Sequence, residues 1–313
     1  TSVDCVADEL CEAGECVATI PLYFYGWTID TTITASVLAK GQHCALLLDD
    51  DDIGTSLDLS QTEIDDFLAA CDEVIVPRAF FGYPAQHPTS PVDDAADYNG
   101  DGLLHVLFSS KVNQEEVWGF FASGDYFEDS VDYPSNERDI LYVALPESAD
   151  EITSIKGTMV HEYQHLLHFV IHNYIPWLNG DDPDYNPTWL DEAFAHLSEE
   201  ICGYGIDNVS FVYDILSVFS DYSLAFGNDD LEDRAFGMLF MLYLFEQHGG
   251  FVYGTDNAIV DQGGATFLQT VIASSSSGFD ALAAGVDGDV EQYFFDWLVT
   301  LVVDNRGVTS NPW

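Results

Sequence analysis

The sequence predicts an α+β fold in two lobes, a mixed β-sheet lobe followed by a mainly helical one. Three observations predict it. Alternating or continuous apolar runs of strand length fill much of the first half of the 313 residues. A single long stretch of helical period covers 155–171, and every strongly patterned segment after 189 has helical spacing. With 47% hydrophobic residues the chain can build a sizeable core, and its length suits two lobes.

The elements follow in order, divided as a Cys-rich head (1–18), a sheet lobe (19–172) and a helical lobe (173–313). Between Ile20 and Ala45 apolar and polar residues alternate, as in Leu22-Tyr23-Phe24-Tyr25, which predicts strands. Residues 45–48 form a strand stopped by the acidic run Asp49 to Asp52. Ser60-Gln61-Thr62-Glu63 is a capping box and starts a helix reaching about Ala70. Residues 73–77, 103–108 and 140–144 read as strands. Ile155, Met159, Leu166, Phe169 and Val170 then give the apolar stripe of a long helix. After a Pro-, Asn- and Asp-rich connection over 173–187, helices are expected at 189–202, 210–220, 232–248, 264–274 and 289–303.

The long helix carries His161-Glu162-Tyr163-Gln164-His165. On a helix His161 and His165 stand one turn apart on one face, so both imidazoles can reach one ion at ~2.0 to 2.1 Å. Glu162 lies about 100° round the helix, beside the ion instead of on it. Zinc with three protein ligands keeps one position for water and lowers its pKa to about 7, and a neighbouring carboxylate can take the proton. From this chain's own His and Glu counts the pattern is expected by chance roughly 0.015 times. A second pair, His168 and His172, continues the i,i+4 spacing, but with no evident Glu or Cys partner it reads as packing or solvent contact.

Downstream, Trp189-Leu190-Asp191-Glu192-Ala193-Phe194-Ala195 follows the second histidine. Together with the pentad it resembles the gluzincin branch of zinc metallopeptidases, most closely the hyicolysin-type secreted peptidases, and so implies a zincin-like bilobal fold. The resemblance spans roughly 42–250 and is strong at these motifs. It implies Glu192 as third ligand, Asp191 as its orienting neighbour and Glu162 as general base. Two departures stand out. Relatives often have Asn where this chain has Asp191, whose extra charge raises affinity for cations and makes bound water less acidic. They also open a later helix with Tyr-Gly, where this chain has Phe236-Gly237. An oxyanion donor must therefore come from elsewhere, and Tyr204 and Arg234 are the candidates nearest the two motifs.

Charge excludes several partners. The chain has 55 acidic and 7 basic residues, a formal net charge of −48, which rules out nucleic acid and an anionic membrane surface. Such a surface fits either a saline or calcium-rich medium or simply an acidic secreted protein. Asp97, Asn99 and Asp101 with Gly102 follow the start of a calcium loop, but Phe108 stands where a bidentate Glu would close it. The segment is therefore either a Ca2+ site completed by a distant carboxylate or an Asx and Gly turn.

Cysteines 5, 11, 16, 44, 71 and 202 favour disulfides and an extracellular, secreted protein, since the first three lack the downstream pair a second zinc site needs. No basic and apolar leader opens the chain, which reads as mature, and no apolar run approaches the ~18 residues of a membrane span. The expectation is a secreted monomer acting on protein or peptide as a Zn2+-dependent endopeptidase. An exopeptidase or other hydrolase of the same fold, and a binding module with a structural metal, are the alternatives. The Gly-x-Met-Glu-Asn type of strand used to clamp a free amino terminus is not found, and a structural site has no use for Glu162.

Overall fold

A computed structural model of the chain describes residues 10–12, 15–79, 81–85, 87, 90–183, 186–216, 222–224, 231–254, 258–286 and 288–303. Its N-terminal part is a curled, mixed sheet of six strands. In chain order these are β1 (Thr19–Tyr25), β2 (Asp30–Lys40), β3 (Cys44–Asp49), β4 (Leu104–Phe108), β5 (Gly119–Phe121) and β6 (Ile140–Val143). The spatial order is β1-β2-β3-β4-β6-β5. The β3/β4 and β4/β6 pairs are parallel and the rest antiparallel. The three central strands are buried along their whole length, which explains why they read as unbroken apolar runs, whereas β1 alternates. Curling brings the far edges together: Phe24 of β1 packs edge-on against Phe120 of β5 and Tyr142 of β6.

Helix α1 (Gln61–Ala70) begins at Ser60 with the expected reciprocal cap, in which Ser60 and Glu63 each accept from the other's backbone N–H. The chain does not then form a strand at 73–77. It continues through a π-type turn, Cys71–Ile75, into the helical Val76–Ala79. Phe67, Cys71 and Ile75 are fully buried at helical spacing. Cys71 is tied by a disulfide to Cys44 of β3, and Asp72 accepts the N–H groups of Gln42, His43 and Cys44. Tertiary anchors of this kind outweigh the strand propensity of Val74-Ile75-Val76. Cys16 is also disulfide-bonded, Cys202 is a buried free thiol, and Cys5 lies outside the described residues.

The motif helix α2 (Ile152–Phe169) runs along one face of the sheet. Pro176 cannot donate to the carbonyl one turn earlier, and the helix widens into a π-type turn over Val170–Tyr174 just before it. The remainder is mainly helical: α3 (Thr188–Cys202), α4 (Ile206–Leu216), α5 (Leu231–Gln247), α6 (Gly264–Ile272), α7 (Phe279–Gly285) and α8 (Val290–Val303). A short antiparallel pair, Phe251–Tyr253 with Ile259–Asp261, interrupts it. One core joins the α2 side of the sheet to α3 and α5 through residues such as Val160, Leu167, Leu190, Phe194 and Phe240. No helix among the described residues is long and apolar enough to cross a membrane.

Candidate metal centre

Helix α3 lies against α2 and α5 lies against α3, and two close approaches set the register. A Cβ on Gly157 of α2 would stand 2.9 Å from the Tyr204 carbonyl, so only glycine admits the turn that ends α3. Gly237 of α5 faces Ala193, with 3.4 Å to its Cβ, which seats α5 one residue beyond Glu192.

This packing brings together the three residues expected from the sequence. His161 and His165 have ring centroids 4.7 Å apart. His161 Nε2 is 3.3 Å from Glu192 Oε2, and His165 Nε2 is 3.7 Å from Glu192 Oε1. One ligand atom from each lies within 4.8 Å of the others. Two imidazoles and a carboxylate converging in this way could hold a metal such as zinc with one position left open.

The surroundings fit that group. His161 Nδ1 is 2.8 Å from Glu199 Oε1, and His165 Nδ1 is 3.1 Å from Asp191 Oδ2. A carboxylate on Nδ1 keeps a proton there, so that an ion replacing the Nε2 proton would meet a lone pair directed inward. Burial works to raise Glu192, yet the hydrogen bond from His161 and the charges of His165, His161 and Arg234 hold its carboxyl down at about 2. Asp191 and Glu199 are also lowered despite burial, chiefly by His168 and His165 for the first and by His161 and His196 for the second. Burial opposes charge on His161 and His165 too, but these carboxylates raise both imidazoles. The cluster is thus a buried set of carboxylates that demands compensating positive charge, as a cation between the imidazoles would supply.

Glu199 and His196 were not anticipated. Glu192, His196 and Glu199 follow i, i+4, i+7 spacing on α3, so the sequence did hold a signal. His196 Nδ1 is 3.0 Å from Glu199 Oε1, its ring is 4.7 Å from that of His161, and His161, His196 and Glu199 form a second convergent group. The two groups share His161. Because Glu199 occupies Nδ1 of His161 while Nε2 faces Glu192, the second group reads as the support of the first.

Glu162 is half-buried and outside both groups, and its Oε2 accepts the backbone N–H of Phe121 at 2.9 Å. Phe121 ends the edge strand β5. A Cβ on Gly119 of the same strand would meet Thr158 at 2.6 Å and the Tyr142 carbonyl at 2.8 Å, so glycine is what lets this edge approach α2.

Of the two proposed donors, one is brought to the cluster. Arg234 Nη1 donates to Glu192 Oε2 at 2.9 Å. Tyr204 is placed among other groups: Lys156 Nζ sits 5.8 Å over its ring, and its phenol is raised by burial, with Cys202, Asp66, Arg78 and Glu73 as charged or titratable neighbours.

At 97–102 the turn satisfies most of its own side-chain oxygens, but Asp97 Oδ1 is buried without a hydrogen-bond partner. Asp97 Oδ2 accepts from Gly102 N–H, Asn99 Oδ1 from Asp101 N–H and Asp101 Oδ1 from Leu103 N–H, while Asp101 Oδ2 is 3.1 Å from His105 Nε2. Among the described residues Asp97 and Asp101 do not belong to a convergent group of His, Cys, Asp or Glu that could hold a metal, and an Asx and Gly turn accounts for the oxygens that accept these local N–H groups. His168 and His172 are buried with rings 4.4 Å apart, and Asn186 Nδ2 lies 3.4 and 3.3 Å from their Nε2 atoms. Burial lowers His172 to about 3, so this ring packs as the neutral form.

No protein-family model matches the chain, and no curated protein matches it. The candidate metal centre therefore rests on its own geometry and on the two motifs that build it.

Proposed function

We propose that the chain is a secreted zinc-dependent endopeptidase in which Glu162 is the general base. The observation that carries this reading is Glu162 itself, a carboxylate beside the convergent ligands yet not one of them, fixed by the Phe121 N–H. A metal that only stabilised a fold would need no such neighbour. Bound zinc supplies Lewis acidity and lowers the pKa of water at its open position. His161, His165 and Glu192 would hold the ion, and Asp191 and Glu199 keep the two imidazoles aimed at it.

Glu162 then takes a proton from the attacking water and passes it to the leaving amine, the acid and base roles of one carboxylate. Arg234, whose Nη1 donates to Glu192 Oε2, is the residue we assign to stabilise the oxyanion that develops on the substrate carbonyl. The Cys44–Cys71 disulfide supports an oxidising compartment. Endopeptidase action is favoured over trimming of free amino termini because the sequence has no Gly-x-Met-Glu-Asn type of strand.

The test is Glu162→Gln. Zinc content should stay at the parental level while peptide hydrolysis falls by about 100-fold or more, because the amide cannot accept the proton. Hydrolysis near the parental rate would overturn the mechanism.

A further inference from the structure

Where the curled sheet brings β1 back toward β5, a groove of about 750 Å³ opens along the edge strand whose Phe121 N–H donates to Glu162. Phe121 lines it, and the same residue's backbone N–H donates to Glu162, so one residue of the edge strand touches both the groove and the candidate site. Its wall is aromatic: Tyr25, Trp27 and Tyr133 line it and are 61%, 68% and 79% exposed. Its rim carries the exposed carboxylates Glu128 and Asp132.

The aromatic wall is built in place. The turn bearing Trp27 is fixed by Glu115, which accepts the N–H groups of Thr28 and Ile29 and the Thr28 hydroxyl. A Cβ on Gly26 would stand 2.3 Å from Glu115 Oε1, so glycine is required for that grip. Trp27 in turn packs edge-on against Phe120 of β5, with centroids 5.3 Å apart. The opposite wall is held by Asp125 and Asn136. Asp125 accepts the Tyr142 hydroxyl and the Asn136 N–H, and Asn136 bridges to the backbone of Tyr23 on β1. Three large rings thus stand exposed on a fixed frame, with carboxylates beside them.

We infer that this groove is the specificity subsite of the enzyme, and that it takes an extended segment of the polypeptide substrate carrying a lysine or arginine near the scissile bond. The inference rests on the peptidase reading above. Charge complementarity selects the occupant. A cationic side chain can lie on the ring faces while Glu128 and Asp132 pair with its charge, and the chain's net charge of −48 adds long-range attraction for basic segments. An acidic segment meets like charge from the rim and from the whole surface. The apolar stem of lysine or arginine covers the aromatic wall as its head reaches the carboxylates.

The test separates binding from hydrolysis. The zinc-loaded Glu162→Gln protein is titrated with three matched octapeptides that carry Lys, Gln or Glu at one position, followed by tryptophan fluorescence at low and at 0.5 M sodium chloride. The Lys peptide should bind about 10-fold tighter than the Gln peptide at low salt, with the Glu peptide weakest and the differences shrinking at high salt. Trp27→Phe should remove most of the fluorescence change. The paired substitutions Glu128→Gln and Asp132→Asn should reduce the Lys preference to within about 3-fold with the melting temperature unchanged. Equal affinity for the three peptides, or a Lys preference that survives the paired substitutions, would overturn the inference. So would binding of a neutral oligosaccharide in preference to all three, since aromatic walls also stack on sugars. If the parent protein hydrolyses peptides but shows no Lys preference, the groove assignment fails and the peptidase reading stands. If it binds the Lys peptide selectively but hydrolyses none, the groove stands as a binding site for basic segments, its role as an enzyme subsite fails, and the peptidase reading fails with it.

Discussion

Replacing Glu199 tests whether the carboxylate behind His161 orients a ligand or is a ligand itself. The bond from His161 Nδ1 to Glu199 Oε1 is 2.8 Å long and both groups are buried. A charge-assisted hydrogen bond of this kind contributes roughly 1.5 to 3 kcal/mol, and loss of a residue orienting a metal-bound histidine typically weakens metal affinity about 10- to 100-fold. Glu199→Gln keeps an acceptor oxygen but removes the charge, so zinc affinity should fall about 10-fold. Glu199→Ala leaves the His161 N–H buried without its partner and should approach about 100-fold. The assay is zinc competition against a chelating indicator at fixed pH, with stoichiometry from elemental analysis. His196→Phe supplies the contrast. If His161, His165 and Glu192 hold the ion, this variant still binds one zinc within a few-fold of the parental affinity. Loss of zinc in His196→Phe, or a change of less than about 3-fold in both Glu199 variants, would refute the assignment of roles.

Other outcomes follow from the same structure. Arg234→Met should lower kcat by about 100-fold with zinc retained and KM little changed, whereas Tyr204→Phe should stay within a few-fold of the parent because its ring packs with Lys156; steady-state kinetics with zinc analysis checks both. Burial raises Asp125 from 3.8 to about 6, so the folded state binds its proton more tightly than the unfolded one. That contribution is fully present below about pH 4 and is lost as pH rises through 6, a change of about 3 kcal/mol that Asp125→Asn should remove from denaturation curves measured across this range. A slope unchanged in the variant would contradict the account. Sodium chloride should raise the melting temperature gradually by screening carboxylate repulsion, and calcium at equal ionic strength should add nothing further. A sharp rise at micromolar calcium, abolished by Asp97→Asn, would place an ion at the 97–102 turn.

The sequence was most informative where chemistry depends on local spacing. His161 and His165 need only one helical turn, and Glu192 only a second helix of recognisable pattern, so the convergent group was legible before any fold was known. Glu199 was recoverable from its i+7 relation to Glu192 but carries no motif of its own. The Arg234 contact with Glu192 was not legible as such, because it spans 42 residues and depends on Gly237 seating α5 against Ala193. Tyr204 shows the converse. It is near the motif in sequence, yet side-chain direction takes its ring to Lys156. The fold class followed from periodicity, and the buried central strands were read correctly because parallel strands covered on both faces are apolar throughout. Residues 73–77 were misread because Val74-Ile75-Val76 suits either a strand or a buried helix, and the anchor at Cys71 decides it. The short edge strand β5, which positions Glu162, has three residues and no alternation to detect.

The central claim is that a metal held by His161, His165 and Glu192 works with Glu162 to break peptide bonds. The most direct measurement is digestion of an unbiased peptide library by the purified protein as isolated, after stripping with a zinc chelator, and after return of one equivalent of zinc, with cleavage sites read by mass spectrometry. Internal cleavage that disappears on stripping and returns with a single zinc is the predicted result. Internal cleavage untouched by stripping, or one tightly bound zinc with no cleavage of any peptide, would contradict the account.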